Sequence, residues 1–257
     1  MDLFYLTIVQ ASKGLQEKKF SSVELTKSVL ERIKKLDKKI NAFVSVDEEN
    51  ALQQAKKADE LLNSKKEKNP LLGTPFSLKD NICTKGLRTT ASSFVLKNYL
   101  PVYDATISQR LKSKNIIILG KTNMDAWAHG SSTETSDFFT TKNPWNRERL
   151  PGGSSGGSAA TIISDMAIGS IGTETAGSIR QPASWCGVVG LKPTYGRVSR
   201  YGIISMGSSL DSPGPITKTV EDAAVVLNTI AGFDPFDATS SPKDVEDYTK
   251  ALKKDIK

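Results

Sequence analysis

The sequence is poor in the side chains that most often gather metal ions. It holds one histidine, His129, and two cysteines, Cys83 and Cys186. That scarcity excludes a His-rich site, an H-E-x-x-H zinc protease and a four-cysteine zinc ribbon, so no metal site is expected. Two distant cysteines in 257 residues read as reduced packing residues, not as a disulfide framework. His129 reads as a pocket-wall or capping group. The opening MDLFYLTIVQ lacks the basic start and the apolar length of a secretion signal, and the expected location is the cytoplasm. Charge of one sign is not concentrated either. The net charge of +7 is spread along the chain, and the one basic run, Lys34, Lys35, Lys38 and Lys39, sits among Glu31 and Asp37. Such a run reads as a solvated helix face, not a nucleic-acid arm.

What is present is ordinary globular composition, 38% hydrophobic and 25% charged. The first third reads as helical. Ser21 followed by Glu24 fits a capping box, and Val29, Ile33, Leu36 and Ile40 recur at three- and four-residue steps, as one buried stripe would. NAFVSV reads as a strand, residues 49–62 as a second helix, and NSKKEKNP as a linker. The division is a helical amino-terminal segment, 1–69, and a core, 70–257. In the core, short apolar strands at 76–78, 116–119, 167–171 and 188–191 alternate with helices at 105–114, 155–164 and 220–230. That alternation implies an α/β layered core. From Phe233 the chain turns polar and is expected to add no terminal packing element.

Three tempting motifs fail. Gly120-Lys121-Thr122 mimics the end of a phosphate loop, but the required earlier glycine is Asn115. Gly152 to Gly156 satisfies G-x-S-x-G, yet the only histidine precedes the serine, against the order of that fold. No G-x-G-x-x-G follows any strand.

Two segments survive: PGGSSGGS at 151–158 and GTETAGSIRQP at 172–182. In each, small residues allow close backbone approach, and each enters a predicted helix, as an anion nest or oxyanion hole would require; a flexible glycine-serine loop has the same composition. Acyl-bond hydrolysis by serine also needs a base. With His129 badly placed, a lysine or a carboxylate is left. In GTPFSLKDN, Phe76 and Leu78 face one side of a strand and Ser77 and Lys79 the other. Burial there would favour the neutral amine; the alternative is a surface lysine beside Asp80.

The blocks GTPFSLKDNI, PGGSSGGSAA and GTETAGSIRQPA, in that order, resemble the amidase signature family. GSSTETS at 130–136, GVVGLKPTYGRVSRYG at 187–202 and SSLDSPGPIT at 208–217 are most similar to its branch in tRNA-dependent amidotransferases. The resemblance implies an α/β/α layered core on a mixed central sheet, with the family's carboxy-terminal half missing. It implies Ser178 as nucleophile, Ser154 as proton relay before a cis bond to Ser155, and Lys79 as terminal base. It also implies an oxyanion and substrate surface from Thr175, Ala176, Gly177, Ser155, Gly130 and Ser131, with Arg180 and Gln181 bracing the loop. The implied chemistry is glutamine hydrolysis that supplies ammonia for converting Glu-tRNA(Gln) to Gln-tRNA(Gln). The implied partners are the amidotransferase's B and C subunits. No cofactor belongs to this chain; ATP and Mg2+ belong to the partner. The other readings are a general small-molecule amidase with the same triad and an inactive truncated assembly protein.

Two positions depart from the family's usual G-S-D-T-G-G-S. Glu174 replaces an aspartate and Ala176 a glycine, so an alanine with positive φ would be strained by about 1–2 kcal/mol. Family members are also roughly twice this long, near the upper end for one core. The missing half is expected to carry side chains that grip glutamine.

Overall fold

A computed structural model describes residues 2–64 and 69–253. The chain opens with α1 (Ile8–Gln16) and α2 (Ser22–Ile40). The Ser21 capping box forms as expected: Ser21 Oγ accepts from Glu24 N, and a Glu24 carboxylate oxygen accepts from Ser21 N at 2.7 Å. A second box, Thr7 with Gln10, starts α1. On α2 the stripe Leu25, Val29, Ile33 and Ile40 is buried, with Leu36 at its margin, and the four lysines of the basic run are exposed. Burial of one stripe, more than helix propensity, holds such a helix in place. β1 (Phe43–Val46) and α3 (Glu48–Ser64) come next. Residues 65–68 of the expected linker lie outside the described residues.

The core adds β2 (Pro75–Lys79), α4 (Thr106–Ser113), β3 (Ile117–Thr122), α5 (Gly156–Ile163), β4 (Gly169–Glu174), α6 (Arg180–Cys186), β5 (Val189–Gly190), β6 (Ser212–Thr217) and α7 (Val220–Ile230). The strands make one mixed sheet in the order β1-β3-β2-β4-β6-β5. β3, β2 and β4 are parallel, and β1, β6 and β5 pair antiparallel at the flanks. The α/β expectation holds. The predicted helices 105–114 and 155–164 differ from α4 and α5 only by their caps, and 220–230 coincides with α7. β1 joins the amino-terminal segment to the sheet of the core.

β6 has no counterpart among the strands expected from the sequence. It contains Pro213 and Pro215, which ordinarily argue against an interior strand. Leu191 N donates to Pro215 O at 3.1 Å, so the side of Pro215 that lacks an N–H faces the two-residue β5, not β4. The full-length ladder with β4 therefore loses no donor.

The segment after Phe233 packs more than expected. Buried Asp234 accepts from Ser199 Oγ at 2.5 Å, Arg197 Nε donates to Tyr248 Oη at 2.7 Å, and a short 3-10 turn at Tyr248–Lys253 lies against α7. Its residues Asp234, Asp237 and Ser240 are buried and hydrogen-bonded, which composition alone does not reveal. Residues 254–257 lie outside the described residues. Among the described residues, no helix is long and apolar enough to cross a membrane.

α5 approaches the strand ends so closely that a Cβ on Gly157 would stand 2.5 Å from Ala42 O and closer still to Asn123 O. Gly157→Ala should therefore cost about 1–3 kcal/mol by overpacking against backbone. Ser21→Ala should cost about 1 kcal/mol through the lost cap. Urea denaturation of both variants checks the order; a neutral Gly157→Ala would contradict the close approach.

Candidate active site

The site is built where the parallel strands end. Ser77 on β2 hydrogen-bonds Thr161 of α5 at 3.1 Å and donates to Ser170 of β4 at 2.8 Å, which defines the α5 side of the sheet. Side chains two apart on a strand share a face, so Lys79 points the same way. It is fully buried. Its Nζ lies 2.7 Å from Ser154 Oγ and donates to Thr173 O at 3.1 Å. Burial pushes the amine down from 10.5 to about 7, against the opposing charges of Asp125, Asp211 and Glu174. The surface-lysine alternative is excluded. Asp80 is also buried, and its carboxylate turns to the N–H groups of Thr90 and Ser92.

Ser154 is fully buried in the loop before α5. The cis peptide bond is Gly153–Ser154, so it precedes Ser154 and does not follow it as the resemblance implied. Gly153 N donates to Gln181 Oε1 at 2.8 Å, and Gln181 Nε2 donates to Ser131 O at 3.0 Å. One amide on α6 thus links the Ser154 loop to the 131 loop, where the resemblance implied bracing of the 175–178 loop.

Ser178 sits between β4 and α6 with 9% of its surface exposed, while Lys79 and Ser154 show none. Of the three residues, Ser178 alone reaches the surface. Ser155 N donates to Ser178 O at 3.1 Å, which ties the two serine loops together. Ser178 Oγ makes no hydrogen bond among the described residues, and neither do the N–H groups of Ala176, Gly177 and Ser178. Those donors stay open while the backbone around them is fixed. Ser155 is placed differently from its expected substrate-facing position. It is buried, and its Oγ donates to Thr173 O at 3.1 Å, so it props the loop from below. Gly130 and Ser131 are exposed at the rim of the Gly153 loop.

Both departures from the family's motif find a physical account. Ala176 does not have positive φ; Gly177 does, at 147°, so the glycine is retained where the backbone needs it. Glu174, buried at the end of β4, reaches across the loop to accept from Ile179 N and Arg180 N at 3.0 Å each, and from Arg180 Nε at 2.7 Å. Its extra methylene is spent on capping α6, where a negative charge suits the helix N-terminus.

Two further carboxylates went unidentified in the sequence. Buried Asp125 accepts from Ser132 N, Thr133 N and Thr135 Oγ1 at 2.9–3.2 Å. Its own N–H donates to Ser154 O at 3.3 Å. Buried Asp211 accepts from Thr175 Oγ1 at 2.5 Å and from Met206 N at 3.0 Å. The hydroxyl-rich run 131–136 just after Asp125 was the one available signal for the first. His129 caps a short 3-10 turn and is exposed, with Nδ1 donating to Trp127 O at 2.8 Å. Cys83 and Cys186 are free, buried members of the hydrophobic core. Among the described residues, no group of three or more His, Cys, Asp and Glu could hold a metal.

A buried amine near neutrality beside a hydroxyl can accept that hydroxyl's proton. Open N–H donors next to a second serine can receive a developing negative charge. Known proteins carry the same arrangement of chain. The Amidase family model matches residues 24–257. The A subunit of glutamyl-tRNA(Gln) amidotransferase from Caldanaerobacter subterraneus is 54% identical over all 257 residues, which cover 52% of that protein. The crystal structure of the Thermotoga maritima protein of the same name aligns with a TM-score of 0.82 at 47% identity, over 95% of this chain and 51% of that one. Native peptide amidase from Stenotrophomonas maltophilia aligns with a TM-score of 0.89 at 36% identity, over 96% of this chain and 52% of that one. The chain spans about half the length of these relatives. Fold, matched residues and identity together make it a member of the amidase signature family.

Proposed function

We propose that this chain belongs to a cytoplasmic glutaminase, the ammonia-supplying part of a tRNA-dependent amidotransferase, working through Ser178, Ser154 and Lys79. The observation that carries the reading is the fully buried Lys79 amine, 2.7 Å from Ser154 Oγ. Ser178 Oγ attacks the carboxamide carbon of glutamine while its proton passes to Ser154, and the Ser154 proton passes to Lys79. The oxyanion rests on N–H groups of the 175–178 loop; one such donor is typically worth about 10²–10³ in rate. The tetrahedral centre then collapses and expels ammonia, which takes the proton returned from Lys79 through Ser154. A glutamyl ester remains on Ser178, and water cleaves it by the same relay.

The ammonia is delivered to the B subunit. There ATP and Mg2+ serve to activate Glu-tRNA(Gln) for amidation to Gln-tRNA(Gln), and the small C subunit holds the assembly together. The 54% identity to an amidotransferase protein supports this assignment. The TM-score of 0.89 to a peptide amidase supports a second reading, a general amidase using the same three side chains. Glutamine-dependent ammonia release that rises on adding the B and C subunits favours the first; turnover of simple amides favours the second.

A fluorophosphonate probe should label Ser178, and Ser178→Ala should abolish labelling. Lys79→Ala and Ser154→Ala should each slow it by about 10²–10⁴. Labelling at another serine with Ser178 untouched would remove the proposal.

The pH dependence has a definite sign. Only the neutral amine accepts a proton, so the rate should rise as pH increases through about 7 and level off above. Stability moves with it. Between about 7 and 10.5 the unfolded chain binds a proton at Lys79 that the folded chain does not. The parent should therefore lose stability relative to Lys79→Met as pH falls across that window, with a constant gap below it. Thermal unfolding of both proteins at several pH values measures the gap.

A further inference from the structure

The buried Lys79 amine meets a hydroxyl and a carbonyl, and no carboxylate among the described residues touches it. Among the described residues no carboxylate forms an ion pair with its amine, whose partners are Ser154 Oγ and Thr173 O. Three buried carboxylates, from three different segments, instead hold the backbone beside those two partners. Asp125 follows β3 and gathers the 132–135 backbone against the Ser154 loop. Glu174 ends β4 and closes the loop that bears Ser178 onto α6. Asp211 precedes β6 and holds Thr175, the first residue of that same loop. The remaining charged groups nearby are otherwise engaged. Asp80 is bound to Thr90 and Ser92, and Lys121 is turned to Ile82 O and Thr84.

A contact ion pair would hold the amine protonated and useless as a base. No charge at all would leave desolvation unopposed, and a fully buried lysine can fall to pKa values near 5–6, too weak to draw a proton from serine. Carboxylates held at a distance by backbone N–H groups give the intermediate case, and the backbone they hold is that of the serine loops. We propose that Asp125, Glu174 and Asp211 are positioning residues forming an acidic collar, which fixes the loops bearing Ser154 and Ser178 and keeps negative charge near the Lys79 site without contact. The proposal rests on Lys79 being the base. The field of Glu174 is the weakest of the three, because Arg180 pairs with its carboxylate.

The test uses the full chain with 13Cε-labelled lysine, the Lys79 signal being assigned by its loss in Lys79→Met. Its titration is followed in the parent, Asp125→Asn, Glu174→Gln and Asp211→Asn. Lys121, equally buried but held by its own partners, serves as the reference in each sample. Each neutral isostere should lower the Lys79 midpoint, by about half a pH unit or more for Asp125→Asn, a threefold or greater rise in the neutral-to-charged ratio. The Lys121 midpoint should stay in place. The acid limb of Ser178 labelling by fluorophosphonate should move with the Lys79 midpoint. Glu174→Gln should also lower the labelling plateau, and Glu174→Asp should restore the Lys79 midpoint. An unmoved Lys79 midpoint in the variants that fold, or an equal shift at Lys121, would overturn the collar; one misfolded variant leaves the other two to decide. A shifted midpoint without Ser178 labelling in the parent would refute the catalytic reading and leave the collar's field supported.

Discussion

Everything at this site depends on taking one ammonium group out of water. Desolvation is large enough to win against three carboxylates, and it brings Lys79 to about 7. The sheet makes the burial possible. β2 lies between β3 and β4, all three parallel, so the residue at its end is covered by the loops that leave both neighbours. Lys79 ends β2, Glu174 ends β4 and Asp125 follows β3. In open α/β sheets, ligands gather at the carboxyl ends of strands, where loops diverge and leave a crevice. Here that crevice is filled by a lysine and two serine loops.

A second lysine shows that burial alone does not bring an amine to a serine loop. Lys121 on β3 is as buried as Lys79 and lies at about 8. It donates to Ile82 O and to Thr84 Oγ1, and among the described residues it hydrogen-bonds no serine. Register is the difference. Lys79 pairs with Thr122 and Leu78 with Lys121, which places the two lysines on opposite faces of the sheet. The Gly120-Lys121-Thr122 triplet that imitates a phosphate loop is the end of strand β3, not a loop.

Local patterns were legible where one short-range effect decides the outcome. The α2 capping box, the bounds of α7 and the two-face alternation around Lys79 all follow from neighbours within four residues. So does the entry of both glycine-serine segments into α5 and α6. The failures share a different character. β6 is a strand because β4 and Leu191 frame its prolines, and neither is near it in sequence. Ser155 is turned inward by Thr173, and Asp125 becomes a hub through Ser132, Thr133 and Thr135 once the chain has folded. A lone aspartate in NMDAW carries no mark of the loop it will hold.

Reactivity and selectivity are separable in this arrangement. On the proposed mechanism, the amine, two hydroxyls and open N–H groups engage the atoms common to every amide: carbonyl carbon, carbonyl oxygen and leaving nitrogen. A scaffold whose chemistry is so indifferent can serve proteins that act on unlike amides with little change in backbone. The same half-chain indeed superposes on an amidotransferase protein with a TM-score of 0.82 and on a peptide amidase with one of 0.89. Substrate choice then has to come from groups outside the relay. On the proposed mechanism, substitutions at Lys79, Ser154 or the 175–178 loop act on the rate of acyl transfer, while substitutions in the walls around them act on which amide is taken.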